Sequence, residues 1–104
     1  MKIYISGPMT GKPDWNMPYF NKTAEVLRAL GYMVVNPAEI NQDTALTWKE
    51  CLREDLRELL ECDAIVMLDG WEDSNGAHLE MYIAHRVGIK VIQLKEAIAN
   101  APSR

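Results

Sequence analysis

Two carboxylates in this sequence stand where an amphipathic helix should be apolar. In the stretch from 48 to 61 the apolar stripe consists of Trp48, Cys51, Leu52, Leu56, Leu59 and Leu60. Asp55 falls inside that stripe, four residues from both Cys51 and Leu59. Desolvating a carboxylate without a partner costs several kcal/mol or forces its protonation, so Asp55 should face a polar cavity, a donor or a ligand. An ion pair with an arginine, either Arg53, Arg57 or one elsewhere, is the alternative.

The second such carboxylate is Glu80. The inward face of its predicted helix is marked by Ala77, Ile83, Ala84 and Val87. Glu80 lies on that face, where the small neighbours leave room for a ligand, and the cap predicted near Ser74 places it towards the positive end of the helix dipole, which favours the ionised form. An ionised carboxylate there could act as a nucleophile or stabilise a cation. A glutamate that only stabilises the first turns of a helix is the alternative.

Together the two carboxylates indicate one kind of chemistry. Both project from helices that flank the predicted strand Ala64 to Leu68. Cleavage of a glycosidic bond needs one protonated carboxyl group to help the leaving group and one ionised group to attack or stabilise the sugar cation. A metal site fits less well, because His78 and His85 are about 10.5 Å apart along one predicted helix and no Cys or His cluster exists elsewhere. No G-x-S-x-G segment is present to support serine-type hydrolysis.

The loop after the first predicted strand, SGPMTGKPDWN, approaches two phosphate-binding motifs and matches neither. From Gly7 to Lys12 it is one residue short of a P-loop and lacks the Ser or Thr after the lysine, and Pro13 delays the helix that should follow. It also lacks the second glycine of G-x-G-x-x-G. An NTPase and a dinucleotide dehydrogenase are therefore disfavoured. Gly7 and Gly11 either form a tight turn or let the backbone approach a ligand, and the sequence favours neither interpretation.

The elements that would position these residues follow the order β-α-β-α-β-α-β. Apolar runs predict strands over Lys2 to Ser6, Tyr32 to Val35, Ala64 to Leu68 and Lys90 to Leu94. Amphipathic stretches predict helices over Pro18 to Leu30, Trp48 to Glu61 and Gly76 to Val87, with one more helical turn in the tail from Glu96 to Arg104. Asn16 is a predicted cap of the first helix, and Thr47 with Glu50 has the spacing of a capping box before the second.

Strands that alternate with helices at this spacing indicate an α/β fold. We expect a small Rossmann-like or flavodoxin-like three-layer sandwich with a parallel sheet of four or five strands. Ligands of such sheets bind at the carboxyl ends of the strands. Three loops meet there: Gly7 to Asn16, Asn36 to Thr47 and Asp69 to Gly76. The site is expected among them.

Composition limits the partners. The 104 residues suit a single domain spanning 1–104, and 48% apolar with 25% charged residues is typical of a globular protein. A net charge of -4 without any basic run argues against a nucleic-acid polymer. No stretch is typical of a secretory signal or a membrane span, and Cys51 and Cys62 look like reduced, space-filling residues. These features predict a cytoplasmic location and no membrane partner.

Four segments, in this order, carry a resemblance to a known family. They are Tyr4-Ile5-Ser6-Gly7 at the end of the first strand, Glu54-Asp55-Leu56 in the second helix, the apolar strand after Cys62-Asp63, and Ser74-Asn75-Gly76-Ala77-His78-Leu79-Glu80. The ordered set covers nearly the whole chain and resembles the nucleoside 2-deoxyribosyltransferase superfamily. SGPMTG and the segment from Gly70 to Glu80 are especially similar to a small phage and bacterial branch, related to 2'-deoxynucleoside 5'-phosphate N-hydrolases.

The resemblance implies a role for several residues. Glu80 would attack the anomeric carbon of a 2-deoxyribosyl group, Asp55 would assist the departing base, and Tyr4 would position the nucleophile. Ser74 stands where the monophosphate hydrolases bind phosphate, which favours a phosphorylated substrate. Pro8 departs from their pattern, because a second phosphate-binding serine stands there and proline offers neither hydroxyl nor NH. The other residues expected to bind substrate are Ser6, Gly7, Met9, Gly11, Asn75 and Gly76.

The predicted function is therefore an N-glycosidase or deoxyribosyltransferase that cleaves the N-glycosidic bond of a (deoxy)nucleoside 5'-monophosphate or nucleoside through a glutamate nucleophile. No cofactor and no metal are expected. A non-catalytic nucleotide-binding or sequestering module is the alternative. A small domain with three Trp and six Met can carry more apolar side chains than its own core holds, and transferases of the family complete their active sites from a neighbouring subunit. We therefore expect a homodimer or a larger homo-oligomer.

Overall fold

A four-stranded parallel sheet forms the centre of the protein, whose computed structural model describes residues 1–40 and 45–101. The strands are β1 Lys2–Ser6, β2 Met33–Val35, β3 Ala64–Met67 and β4 Lys90–Gln93, in the order β2-β1-β3-β4. The helices are α1 Met17–Ala29, α2 Pro37–Ile40, α3 Trp48–Leu59, α4 Asn75–Arg86 and α5 Leu94–Ala99. The predicted α/β fold with a parallel sheet is confirmed.

Helices cover both faces of the sheet and make three layers. Along β1 the side chains alternate: Ile3 and Ile5 pack in one core with residues of α1 and α5, whereas Tyr4 packs in the other with residues of α3 and α4. Every residue of β3 is buried, as expected of a strand that is covered on both faces. The side of the sheet on which a β1 residue lies thus decides which helices it meets.

Local signals set the ends of several elements. The predicted capping box is present, since Thr47 Oγ1 accepts from the backbone NH of Glu50 and the Glu50 carboxylate accepts from that of Thr47. Gly31, at φ 103°, and Gly88, at φ 85°, follow the ends of α1 and α4 in the left-handed region. The helical turn predicted in the tail is confirmed as α5, which begins two residues before the predicted position.

Three features lie within predicted loops. A short helix, α2, begins where Asn36 Oδ1 accepts from the backbone NH of Ala38 at 3.0 Å, and 3-10 turns cover Pro13–Asn16 and Trp71–Asp73. Asn16 occupies the N-cap position of α1, as predicted, but its side chain makes no capping hydrogen bond: its Nδ2 donates to the carbonyl oxygen of Pro8 at 2.8 Å. Residues 41–44 of the predicted loop before α3, and 102–104 of the tail, lie outside the described residues.

The buried faces of α3 and α4 are shorter than predicted. On α3 only Asp55 and Leu59 are buried, whereas Trp48 and Leu60 at its ends are more than half exposed, as is Val87 after α4. A helix of 12 residues is about 18 Å long, but a strand of four residues spans only about 13 Å. The helix ends therefore extend past the sheet, and the apolar side chains there have no strand beneath them.

Candidate active site

The carboxyl group of Glu80 lies at the carboxyl end of β1 between two hydroxyl groups. Tyr4 Oη donates to its Oε2 and Ser6 Oγ donates to its Oε1, each at 2.6 Å. All three side chains are buried, with 6% of Glu80 exposed. Tyr4 and Ser6 are two residues apart on β1, so both point to the face that α3 and α4 cover. One strand thus supplies two donors to one carboxylate.

Small side chains on α4 allow Glu80 to reach β1. Ala77 and Ala84, about one turn before and after it, are buried in the core between α4 and the sheet. The helix contacts β1 as well as β3 and β4. From the sequence we placed the two carboxylates beside β3, but the Glu80 carboxyl group lies over β1, one strand away. Because the side chains one turn before and one turn after Glu80 are short, α4 packs closely enough to the sheet for the Glu80 carboxyl group to lie over β1.

Burial raises the pKa of Glu80 from its usual 4.5 to about 7. The hydrogen bonds from Ser6 and then Tyr4 oppose this rise because they stabilise the charged carboxylate, and the negative charge of Asp55 adds to it. From the sequence we expected the helix dipole to favour the ionised form. Desolvation outweighs that effect, since Glu80 is the sixth residue of α4 and the dipole acts mainly within the first turn. At neutral pH both protonation states are present.

Asp55 and Tyr4 belong to the same buried cluster. Asp55 lies on α3 with 9% of its surface exposed, and its charge raises the pKa of both Glu80 and Tyr4. The pKa of Tyr4 lies well above the usual 10, because burial of the phenol raises it most and the Glu80 carboxylate raises it further. Tyr4 therefore remains a neutral donor at physiological pH. The structure brings together the three residues to which the sequence assigned catalysis.

Ser74 caps α4, as predicted. Its Oγ accepts a hydrogen bond from the backbone NH of Ala77 at 3.1 Å. Asn75 is exposed and Gly76 is half-buried, and their backbone NH groups belong to the first turn, where no carbonyl of the helix can satisfy them. Six residues separate Ser74 from Glu80, which is about 9 Å along the helix axis. The start of α4 and the buried carboxyl group therefore lie at neighbouring positions on one helix.

The predicted substrate-binding residues of the loop after β1 have structural roles. A Cβ on Gly7 would lie 3.0 Å from Leu68 Cβ, so the close packing of this loop against the end of β3 requires glycine. Met9 packs against the core on the α1 side of the sheet, away from Glu80. Gly11 has a φ of 82°, and no heavy atom lies within 4 Å of where its Cβ would be. Packing explains the glycine at position 7 and turn geometry explains the glycine at position 11, and the binding of substrate by Gly7, Met9 and Gly11 stays a prediction.

Sequence analysis missed the backbone conformation of Pro13–Asn16. Asp14, Trp15 and Asn16 have φ values of 52°, 55° and 60°, in the left-handed region. Asp and Asn tolerate this region, but tryptophan rarely adopts it. The side chain of Trp15 is 56% exposed.

The three tryptophans share one edge of the sheet. Trp15 follows β1, Trp48 begins α3, which follows β2 and the short α2, and Trp71 follows β3. The carboxyl ends of parallel strands meet at one edge of the sheet, so these segments lie at the same edge as the end of β1. The sequence carries a signal for this shared position, because the three tryptophans follow three successive predicted strands.

Other candidate features are separate from the cluster of Tyr4, Ser6, Asp55 and Glu80. His78 is exposed and its ring contacts that of Trp71 in a tilted arrangement, with centroids 5.0 Å apart, which fits the predicted packing role. Cavities of about 150 and 130 Å³ are lined by other residues, mainly of β4, α5 and α1. Within residues 1–40 and 45–101, no group of three or more His, Cys, Asp or Glu side chains could hold a metal ion. No helix in those residues is long and apolar enough to cross a membrane.

Comparisons with known proteins show a family and a fold. Residues 1–93 match a family model described as a domain of unknown function (DUF4406), a range that includes all four strands and Glu80. No curated protein matches the chain. Among solved structures, the chain is similar to the 2-deoxyribosyltransferase of the psychrotolerant bacterium Bacillus psychrosaccharolyticus, with 22% identity, 89% of this chain and 71% of that chain covered, and a TM-score of 0.69. The fold implied by the resemblance is confirmed.

Proposed function

Because the chain belongs to the family described as a domain of unknown function (DUF4406) and has the fold of a 2-deoxyribosyltransferase, we propose that it cleaves the N-glycosidic bond of a (deoxy)nucleoside or its 5'-monophosphate. The observation that carries the proposal is the buried carboxyl group of Glu80, held by two hydroxyl groups at the carboxyl edge of a parallel sheet with Asp55 beside it. The solved relative is described as a biocatalyst for the synthesis of nucleosides, which supports the same class of substrate.

Glu80 is the nucleophile of the proposed reaction. A carboxylate oxygen that accepts one hydrogen bond keeps a second lone pair, and this pair attacks the anomeric carbon of the sugar. The bond from that carbon to the base nitrogen breaks, and its electron pair leaves with the base. An ester between the sugar and Glu80 results. Tyr4 and Ser6, each 2.6 Å from one oxygen, keep the carboxylate in place during the attack.

Asp55 assists the departure of the base. In its protonated form it donates a proton to the leaving nitrogen or to another atom of the base, so the base departs neutral. An acceptor then attacks the anomeric carbon and releases Glu80, while Asp55 takes the proton from that acceptor. Water as acceptor gives the free sugar or sugar phosphate, and a second base gives a new nucleoside. Hydrolysis and transfer therefore use the same residues.

The start of α4 and the exposed tryptophans suit the other parts of a nucleotide. Backbone NH groups at the start of a helix bind phosphate, and Ser74 stands at that position. The sugar would then lie about 9 Å along the axis, at Glu80. Trp15 and Trp48 offer exposed aromatic faces on the same edge, and such faces stack on bases.

The proposal is tested by following base release. The wild-type protein is incubated with each deoxynucleoside and each deoxynucleoside 5'-monophosphate, and free base is measured by chromatography. We expect base release by the wild type and none by Glu80→Gln, whose amide is a poor nucleophile and carries no charge. Glu61→Gln, at an exposed position after α3, is the matched control and keeps full activity. Binding of nucleotide without release of base by any protein would instead support the alternative, a sequestering module.

A further inference from the structure

Ser6 is a buried hydroxyl group in a position where an apolar residue would fit the core. It is the last residue of β1, 1% exposed, and it pairs with Met67 of β3 across the sheet. From the sequence it was expected to bind substrate. Its only hydroxyl proton, however, is donated to Glu80 Oε1 at 2.6 Å. A serine has one donor proton, so none is left for a substrate.

We propose that Ser6 is a positioning residue, whose hydroxyl group holds Oε1 of Glu80 while Tyr4 holds Oε2. The role in turnover rests on the function proposed above, but the hydrogen bond and its effect on Glu80 do not. The last torsion of a glutamate side chain is broad, so one hydrogen bond leaves the plane of the carboxylate free to turn about the bonded oxygen. Two donors on two oxygens fix that plane. Each oxygen then presents one remaining lone pair in a defined direction.

Ser6 also affects how much of Glu80 is ionised. Burial raises the pKa of Glu80, and among the groups that lower it the Ser6 hydroxyl is the largest, followed by Tyr4. The titratable groups that act on the carboxyl group from neighbouring elements are Tyr4 of β1 and Asp55 of α3. Tyr4 stays neutral, and the negative charge of Asp55 disfavours ionisation of Glu80. Without Ser6, a larger fraction of Glu80 would be protonated at neutral pH, and a protonated carboxyl group cannot attack.

The geometry explains why Tyr4 alone does not suffice. Tyr4 donates to Oε2 and Ser6 donates to Oε1, and these hydrogen bonds are strongest when the carboxylate carries its negative charge. Protonation at either oxygen removes that charge and requires the hydroxyl group facing the proton to accept instead of donate. Two donors therefore favour the charged carboxylate at both oxygens. Removal of Ser6 leaves Oε1 free to hold the proton.

The test measures the titration of Glu80 without any substrate. The carboxyl stretch of Glu80 is isolated as the infrared difference between the wild type and Glu80→Gln, from pH 5 to pH 9. In Ser6→Ala we expect the midpoint to move to higher pH by about one unit, a tenfold change in the ionisation equilibrium. Ser6→Thr keeps the hydroxyl group and restores the midpoint. Thr23→Ala removes a buried hydroxyl group on the other side of the sheet and leaves the midpoint unchanged.

Base release provides the second measurement. In Ser6→Ala we expect a lower kcat at pH 7, with little change in KM. The part of the loss that comes from protonation of Glu80 is recovered at pH 9, and the part that comes from the freed carboxylate plane remains. An unchanged midpoint in Ser6→Ala would overturn the proposal, and an unchanged midpoint with a raised KM would restore the substrate-binding role. Ser6→Cys keeps a side chain of similar volume but donates a weaker hydrogen bond, so its midpoint should lie between those of the wild type and Ser6→Ala. This variant replaces Ser6→Ala in the test if Ser6→Ala does not fold. If no protein releases base, the proposed reaction fails, but the infrared titration still decides the role of Ser6.

Discussion

At the scale of single residues, the fold keeps a carboxyl group in an environment that opposes its charge. Burial raises the pKa of Glu80 from 4.5 to about 7, so ionising this group costs about 3 kcal/mol more in the folded chain than in the unfolded chain. Because the pKa in the folded state is the higher one, the associated stability is complete below about pH 4.5. It is lost as the pH rises through 7. The charge that the proposed reaction needs thus destabilises the protein.

Replacing this carboxyl group should therefore stabilise the protein at alkaline pH. Relative to Glu80→Gln, we expect the free energy of unfolding of the wild type to fall by about 3 kcal/mol between pH 4.5 and pH 8. Urea denaturation at four pH values across this range measures the difference. The matched control Glu61→Gln, which changes an exposed glutamate, should follow the wild type at every pH. If the wild type and Glu80→Gln differ equally at all pH values, Glu80 does not titrate in this range.

Asp55 gives a prediction about the leaving group. If it donates a proton to the base, Asp55→Asn should slow the reaction of a natural nucleotide strongly, because the departing base then leaves as an anion. An aryl deoxyriboside with a stable phenolate leaving group needs no such proton, so its rate should change far less. The measurement compares the initial rates of Asp55→Asn and of the wild type with each of the two substrates. Equal slowing of the two would show that Asp55 acts in some way other than leaving-group assistance.

The sequence revealed Asp55 and Glu80 because a carboxylate inside an apolar stripe is visible without a structure. The resemblance already assigned Tyr4 to positioning Glu80, but nothing in the sequence placed Ser6 on the same carboxyl group. That pairing depends on how closely α4 packs on β1, two elements about 70 residues apart along the chain. The ionisation of Glu80 was also beyond the sequence, because the balance between helix dipole and burial depends on three elements that cover the side chain.

At the scale of elements, the start of α4 has a capping role and a proposed phosphate-binding role, which an experiment can separate. Ser74 caps the helix, and removal of a cap costs about 1 kcal/mol of stability. If it also binds the substrate phosphate, loss of a hydrogen bond to a charged group weakens binding by about tenfold to a hundredfold. Ser74→Ala should therefore bind a nucleoside 5'-monophosphate that much more weakly, with little change for the nucleoside.

Calorimetric titration of both ligands, with a melting curve for each protein, measures these effects. Thr47→Ala, which removes the cap of α3, is the matched control: it loses similar stability and keeps the phosphate preference. Equal weakening of nucleotide and nucleoside by Ser74→Ala, together with a lower melting temperature, would assign Ser74 to helix capping alone.

The main strands and helices were predictable to within two residues at each end, because β3 is a continuous apolar run and capping residues mark α3 and α4. The short pieces were not predictable. α2 depends on a hydrogen bond from the backbone of Ala38 to the side chain of Asn36, and the turn at Pro13–Asn16 depends on the bond from Asn16 to Pro8. The free-energy difference between conformations with and without such local hydrogen bonds is small, so contacts with the surrounding structure decide which conformation forms.

At the scale of the whole molecule, apolar surface is unevenly distributed. Half of the large apolar side chains that are exposed in the described residues belong to α3, α4 or the residues just after them: Trp48, Leu60, Leu79, Tyr82 and Val87. A small domain has a high ratio of surface to volume and therefore leaves much of its apolar surface exposed. Association with another chain buries part of that surface. These exposed side chains on and beside α3 and α4 offer surface for a second copy of the chain.

We therefore predict that the protein forms a homodimer or a larger homo-oligomer through the layer of α3 and α4. Light scattering on the eluting protein at micromolar concentration should give at least twice the monomer mass. Tyr82→Lys places a charge in the 59% exposed position on α4 and should shift the mass towards the monomer. Ile98→Lys makes the same change at a 44% exposed position on α5, in the opposite layer, and should leave the mass unchanged. A wild-type monomer would refute association, and dissociation by Ile98→Lys alone would move the interface to the α1 and α5 layer.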